Sequence, residues 1–291
     1  MMLLFALAAA AAAPAERIVA IGDLLTARVN GTPVQLRIDP AGTAMPLIDD
    51  AAAKRAGLKA SMLGIAYAVG PQKVLGRTAL VSVDLGAGPA RRRVGFTAQR
   101  FAPAVEGTIG PGGLQDAMVR FRLRAALPNE RAITFPMGDQ GGLAAAWAER
   151  FALITVGGQP MRVRFDPYHR ETLATAGAAA RLATANLGTM TGIPRTAEIA
   201  FGIKRPVRDM TLGTPLQFGP FSIARLGVRT SDFGSTAGVA SDKDDPDEVL
   251  VAAKGKHSPN TDRINIGSDQ LERCSSILFD NARRVIVLTC A

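Results

Sequence analysis

The apolar positions of this chain fall mostly into short alternating runs. Val34, Leu36 and Ile38 alternate with polar or charged neighbours, and Met161, Val163 and Phe165 do the same. A period of two places each set on one face of a β-strand. Similar runs at 24–29, 63–101, 118–123, 131–135, 151–156, 196–203, 207–212, 221–229, 264–266, 277–280 and 284–288 are bounded by Gly, Pro and Asn, and predict further strands. Asn30-Gly31 and Gly157-Gly158 are hairpin turns in this reading. Two stretches read as helices: 46–56, stopped by Gly57, and 176–187.

The two alternating runs are copies of each other. Val29, Gly31, Pro33, Arg37, Asp39 and Pro40 match Val156, Gly158, Pro160, Arg164, Asp166 and Pro167 at one offset, 156 − 29 = 127 positions, without a gap. Each copy runs from a glycine turn through a strand to an aspartate. Later segments also correspond. Ile109-Gly110 matches Ile266-Gly267, with Leu114 and Leu271 four residues beyond each glycine. Val119-Arg120-Phe121 matches Ile277-Leu278-Phe279, and 132–135 matches 285–288. A duplicated, mainly β chain is expected, with halves at 16–137 and 151–291 joined by a glycine-rich linker at 138–150.

Composition changes this picture in three places. Residues 1–15 are apolar and uncharged and end at Ala13-Pro14-Ala15, the pattern of a cleaved signal peptide, so the chain is expected to be exported. That stretch is too short to span a bilayer, and no stable membrane anchor is expected. The net charge of +9 favours anionic partners, but the basic residues are scattered. Arg91-Arg92-Arg93, the one tight cluster, lacks the aromatics that stack on bases, so nucleic acid is not an expected partner. Cys274 and Cys290 are expected to pair in an oxidising compartment and to be buried thiols in a reducing one. Their spacing fits no zinc pattern, and neither a metal nor an organic cofactor is expected.

A glycine turn, an alternating strand ending on Asp, and a later hydrophobic-Gly segment, all occurring twice, resemble the pepsin and retropepsin aspartic peptidases. The resemblance implies a mainly β, bilobal fold built from two duplicated β lobes with short helices. It implies that Asp39 and Asp166 meet at the lobe interface as an acid–base pair, share a proton and hold the attacking water. It also implies a flap hairpin over a peptide substrate, placed here at 67–76, with Thr43, Tyr67 and Tyr168 near the substrate.

The chain departs from the family at one point. Asp39-Pro40-Ala41 and Asp166-Pro167-Tyr168 stand where the family has Asp-Thr-Gly or Asp-Ser-Gly. Proline supplies neither a hydroxyl nor an N–H. Thr43 is a candidate replacement hydroxyl, and His169-Arg170 would favour an ionised Asp166. Three readings therefore stay open: a monomeric peptide-binding protein with impaired or lost catalysis, an active aspartic endopeptidase, and a structural role or different chemistry on the same scaffold. Weaker signals read as structural. The glycines at 107–113 lack the Lys-Ser/Thr of a phosphate loop, the acidic run at 242–248 lacks the glycine of a calcium loop, and His257 reads as exposed.

Overall fold

The computed structural model describes residues 16–139, 141, 146–242 and 258–291. The expected signal peptide at 1–15, most of the acidic run and His257 lie outside the described residues. The chain is mainly β. It begins with β1 (Glu16–Ala20), β2 (Leu24–Val29), β3 (Thr32–Ile38), β4 (Leu47–Asp49), α1 (Asp50–Arg55), β5 (Gly64–Val69), β6 (Gln72–Asp84), β7 (Pro89–Thr97) and β8 (Gly107–Ile109). Next come β9 (Met118–Arg122), β10 (Arg131–Gly138), β11 (Phe151–Val156), β12 (Gln159–Phe165), β13 (Leu173–Thr175), α2 (Ala176–Asn186), β14 (Gly188–Ala200), β15 (Ile203–Phe218) and β16 (Phe221–Arg229). The chain closes with β17 (Arg263–Ile266), α3 (Ser268–Leu271), β18 (Cys274–Asp280) and β19 (Val285–Cys290).

One sheet has the order β2-β3-β8-β4-β7-β6-β5, and β2 also pairs with β6, which closes six of its strands into a barrel. In the other sheet the run β11-β12-β17-β13-β16-β15-β14 follows the same order, strand for strand. The registers agree as well. Leu36, Arg37 and Ile38 lie beside Gly107, Thr108 and Ile109 in parallel, and Val163, Arg164 and Phe165 lie beside Ile264, Asn265 and Ile266 in parallel. Such agreement follows from the matched alternation, because a slip of one residue would turn each apolar set away from the core.

A central run, β1-β9-β18-β19-β10, leads into β11. Its β9 and β18 pair antiparallel, with Arg120 opposite Leu278. The matched segments 132–135 and 285–288 do not take equivalent places. β19 lies beside β18, whereas β10 lies beyond β19, and the place next to β9 is taken by β1 in parallel pairing. Cys274 and Cys290 face each other across β18 and β19 and are joined as a disulfide.

The helix expected at 46–56 is shorter. Leu47 and Ile48 are buried and pair with β7 and β8, so 47–49 is strand. The helix begins after Asp49, whose carboxylate accepts the amide of Ala52 at 2.7 Å as an N-cap. The helix expected at 176–187 is present as α2. Its fully buried Ala176, Ala178, Ala179 and Leu182 are mostly small and let it sit close on the sheet.

The loop after β3 is tightly closed over the turn after β8. A Cβ at Gly110 would come within 2.1 Å of the Gly42 carbonyl oxygen. Gly110→Ala is therefore expected to cost at least about 2 kcal/mol in urea unfolding, because backbone rather than a flexible side chain must move. A change below about 0.5 kcal/mol would contradict this packing.

Candidate functional site

Each Asp-Pro loop starts where its strand ends. The amide of Asp39 donates to Ile109 O and the amide of Asp166 donates to Ile266 O, each at 2.9 Å, so the parallel neighbour carries both chains one residue past the strand. Proline then turns the chain. Gly42 N–H donates to Asp39 O at 2.9 Å, and His169 N–H donates to Asp166 O at 3.1 Å. The amide that proline lacks is replaced by the next one. Ala41 N–H donates to Asp39 Oδ1 at 2.9 Å, and Tyr168 N–H donates to Asp166 Oδ1 at 3.2 Å. Thr43 does not act as the substitute hydroxyl across the loops; its Oγ1 donates to its near neighbour Met45 O at 2.8 Å.

Contact between the loops comes instead from the two repeated arginines. The Arg37 guanidinium lies 4.0 Å from the centre of the Tyr168 ring, and Arg164 Nη2 donates to Ala41 O at 2.8 Å. Arg37 and Arg164 are matched positions, and so are Ala41 and Tyr168, so each arginine reaches the other half's loop. Their charges are used differently. Arg37 Nη2 pairs with Asp39 Oδ2 at 2.6 Å. Arg164 Nη1 pairs with Glu149 Oε2 at 2.8 Å, with both side chains almost fully buried.

Asp39 and Asp166 line one cavity of about 460 Å³, together with Arg37, Tyr67, Arg164, Tyr168 and His169. Its other walls come from β5, from Phe101 and from residues 196–200 of β14. Tyr67, Phe101 and Phe201 form three edge-to-face contacts with centroids 5.1 to 5.6 Å apart. Phe201 N–H also donates to Phe101 O at 3.1 Å. The Gly70 turn of the β5–β6 hairpin presses on the Asp232 carboxylate, which would lie 1.9 Å from a Cβ placed there. Asp232 is fully buried and held by Arg205 Nε and Arg229 Nε, each at 2.7 Å. The hairpin at 67–76 thus reaches from the first barrel to the second half.

Burial and then the Asp39 charge push Asp166 above its ordinary value, and Arg164, His169 and Arg37 only partly offset this. His169 does favour an ionised Asp166, as expected, but burial and the Asp39 charge outweigh it, and Arg170 takes no visible part. The His169 ring nitrogens lie 3.1 Å from Glu171 O and 2.7 Å from Glu198 O. Burial works against the Arg164 charge, but Glu149, Tyr67 and Asp166 hold it above its usual range.

Of the expected site residues, Asp39, Tyr67, Asp166 and Tyr168 share this cavity, and Tyr67 also lines a neighbouring one that Thr43 helps to form. The disulfide lines neither. Among the described residues no group of three or more His, Cys, Asp or Glu is placed to hold a metal, and no helix is long and apolar enough to cross a membrane. Sequence reasoning missed Glu149, which lies in the expected linker, and the crossing role of Arg37 and Arg164. Their repetition two residues before each Asp was the available signal.

A scan of protein-family models finds no match to the chain, and a search of curated proteins finds none either.

Two outcomes follow from this site. Arg164→Met removes the shorter of the two ion pairs of buried Glu149 and leaves only Arg263, 3.5 Å away, so it is expected to cost about 3 kcal/mol in chemical unfolding, part of it recovered when Glu149→Met is added. Asp166 binds its proton more tightly folded than unfolded, so its contribution to stability falls as pH rises from about 3.8, its ordinary value, through its raised folded value. Asp166→Asn keeps the acceptor for Tyr168 N–H and should be more stable than the wild type above that window, the advantage fading as pH drops towards 3.8. Parallel melting curves for the two proteins across this range would contradict the raised position.

Proposed function

We propose that this chain is an exported, monomeric aspartic-peptidase-like protein whose two duplicated lobes enclose a peptide-binding cleft. The observation that carries the reading is the placement of Asp39 and Asp166, at matched strand ends, on one cavity walled by a hairpin from each half. The strand edges support a peptide ligand. β5 ends the first sheet and β14 ends the second, and both line the cavity, so an extended chain lying between them meets unpaired main-chain groups on two sides.

The same geometry favours binding over fast turnover. The Arg37 ion pair engages Asp39 Oδ2 and Ala41 N–H engages Oδ1, so both oxygens of this carboxylate already have a donor and its basicity toward a water is reduced. A second reading, slow peptide hydrolysis, is favoured by the raised Asp166. A protonated Asp166 would give its proton to the substrate carbonyl oxygen while the Asp39 carboxylate takes one from the attacking water.

The test incubates the purified chain with a mixed peptide library from about pH 3 to 7, the range in which carboxyl pairs titrate. Wild type, Asp39→Asn and Asp166→Asn are expected to bind peptides alike, with at most slow cleavage by wild type. Cleavage that vanishes in both variants would establish the second reading. Peptides that bind none of the three proteins would remove both.

A further inference from the structure

The neighbouring cavity, about 530 Å³, shares Tyr67, Ala68 and Arg263 with the first. Met45, Leu47, Ile65, Trp147 and Phe233 give it apolar walls, and Arg162 and Arg263 give it charge. These arginines are direct neighbours in register on β12 and β17, so their side chains leave the sheet side by side. Their planes rest on aromatic rings, Arg162 at 4.5 Å from the Phe151 centroid and Arg263 at 5.2 Å from that of Phe233.

The counter-charge is short. Glu149 is the acidic residue of this lining, and both its oxygens are engaged: Oε2 with Arg164 at 2.8 Å and Oε1 with Arg263 at 3.5 Å. Arg162 makes no ion pair among the described residues, and Arg263 Nε is buried without a hydrogen-bond partner there. Burial pushes both guanidiniums below their usual range, and the Arg164 charge adds to this at Arg263. Glu149, already engaged by Arg164 and Arg263, is thus the one carboxylate lining this apolar-walled cavity, and it makes no ion pair with Arg162. Partly desolvated positive charge of this kind is relieved by a carboxylate that accepts from a guanidinium fork.

We infer that this second cavity binds a carboxylate, carried by an acidic side chain or by the C-terminus of a peptide lying in the cleft. The peptide part rests on the function proposed above; the carboxylate preference rests on Arg162 and Arg263 alone.

Trp147 is the single tryptophan of the chain and lines this cavity, so its fluorescence reports occupancy directly. The probes are N-acetylglutamic acid amide against N-acetylglutamine amide, and N-acetylalanine against its amide; the first pair tests a side-chain carboxylate and the second a terminal one. At least one carboxylate is expected to bind roughly tenfold or more tighter than its amide, with the preference weakening as salt is added. Arg162→Gln and Arg263→Gln should each abolish the preference. Arg162 carries no ion pair, so its variant is expected to keep the fold, verified by circular dichroism, even if the Arg263 variant does not. Equal affinity for acid and amide in both pairs, or a preference that survives Arg162→Gln, would overturn the inference. Longer peptides with Glu or Gln, tested on Asp39→Asn, separate the two claims. Small carboxylates that bind while no peptide does would leave the carboxylate site and remove the peptide cleft. Peptides that bind without regard to charge would do the reverse.

Discussion

Two carboxyl groups facing one cavity need support that does not come from each other. Here that support is the pair of arginines crossing between the Asp-Pro loops. Each arginine sits two residues before its aspartate, and in a strand that spacing puts both side chains on the same face. The backbone around them is nearly symmetric, with equal amide contacts to Ile109 and Ile266. The charges are not symmetric. Arg37 spends its charge on Asp39 and lays its plane on Tyr168, while Arg164 turns to Glu149 and the carbonyl of Ala41. Asp166 is left without an ion pair among the described residues, and burial followed by the Asp39 charge makes its proton hard to remove. Matched strand ends thus carry one carboxyl with a raised proton affinity and one ion-paired carboxylate.

The walls of the cleft depend on the same economy of charge. Asp232 lies at the centre of a buried group with Arg205 and Arg229 and serves as the seat for the Gly70 turn. Burial and the nearby Arg263 pull Arg229 down to about 10 in spite of Asp232, a sign of how crowded with positive charge this half is. The aromatic trio of Tyr67, Phe101 and Phe201 completes the closure with contacts that need no charge at all.

The strands and the two aspartates were legible because alternation and turns are local properties. Val34, Leu36 and Ile38 announce their strand without help from elsewhere, and the repeat at Met161, Val163 and Phe165 doubles the signal. Leu47 and Ile48 were misread as helix because their strand exists only through distant partners on β7 and β8. The match between 132–135 and 285–288 misled for a related reason. Similar apolar strands fill any slot in a sheet, and β1 takes the place beside β9 that the match assigned to β10. Glu149 gave no local signal, since its importance arises from Arg164 and Arg263, both remote in sequence. The replacement of the missing proline amides by those of Ala41 and Tyr168 was likewise a matter of turn geometry, which the Asp-Pro dipeptide alone does not specify.

The two halves are attached to the centre in unequal ways. The second half continues from the central strands through the pairing of Met137 with Ala152 and Gly138 with Phe151, so main-chain hydrogen bonds run unbroken from β1 to β14. The first barrel shares no strand pairing with that sheet among the described residues. It is tied to the segment before β11 by short contacts, such as those of Ala44 and Met45 with Ala148 and Trp147, and by the bridge between Thr43 and Glu149. In mechanical terms the second half and the centre form the frame, and the first barrel is the jaw. Moving the two apart would break no ladder in the frame, but it would sever the Arg164–Ala41 hydrogen bond and the Phe101–Phe201 contacts and part the Gly70 turn from Asp232, as well as opening this seam.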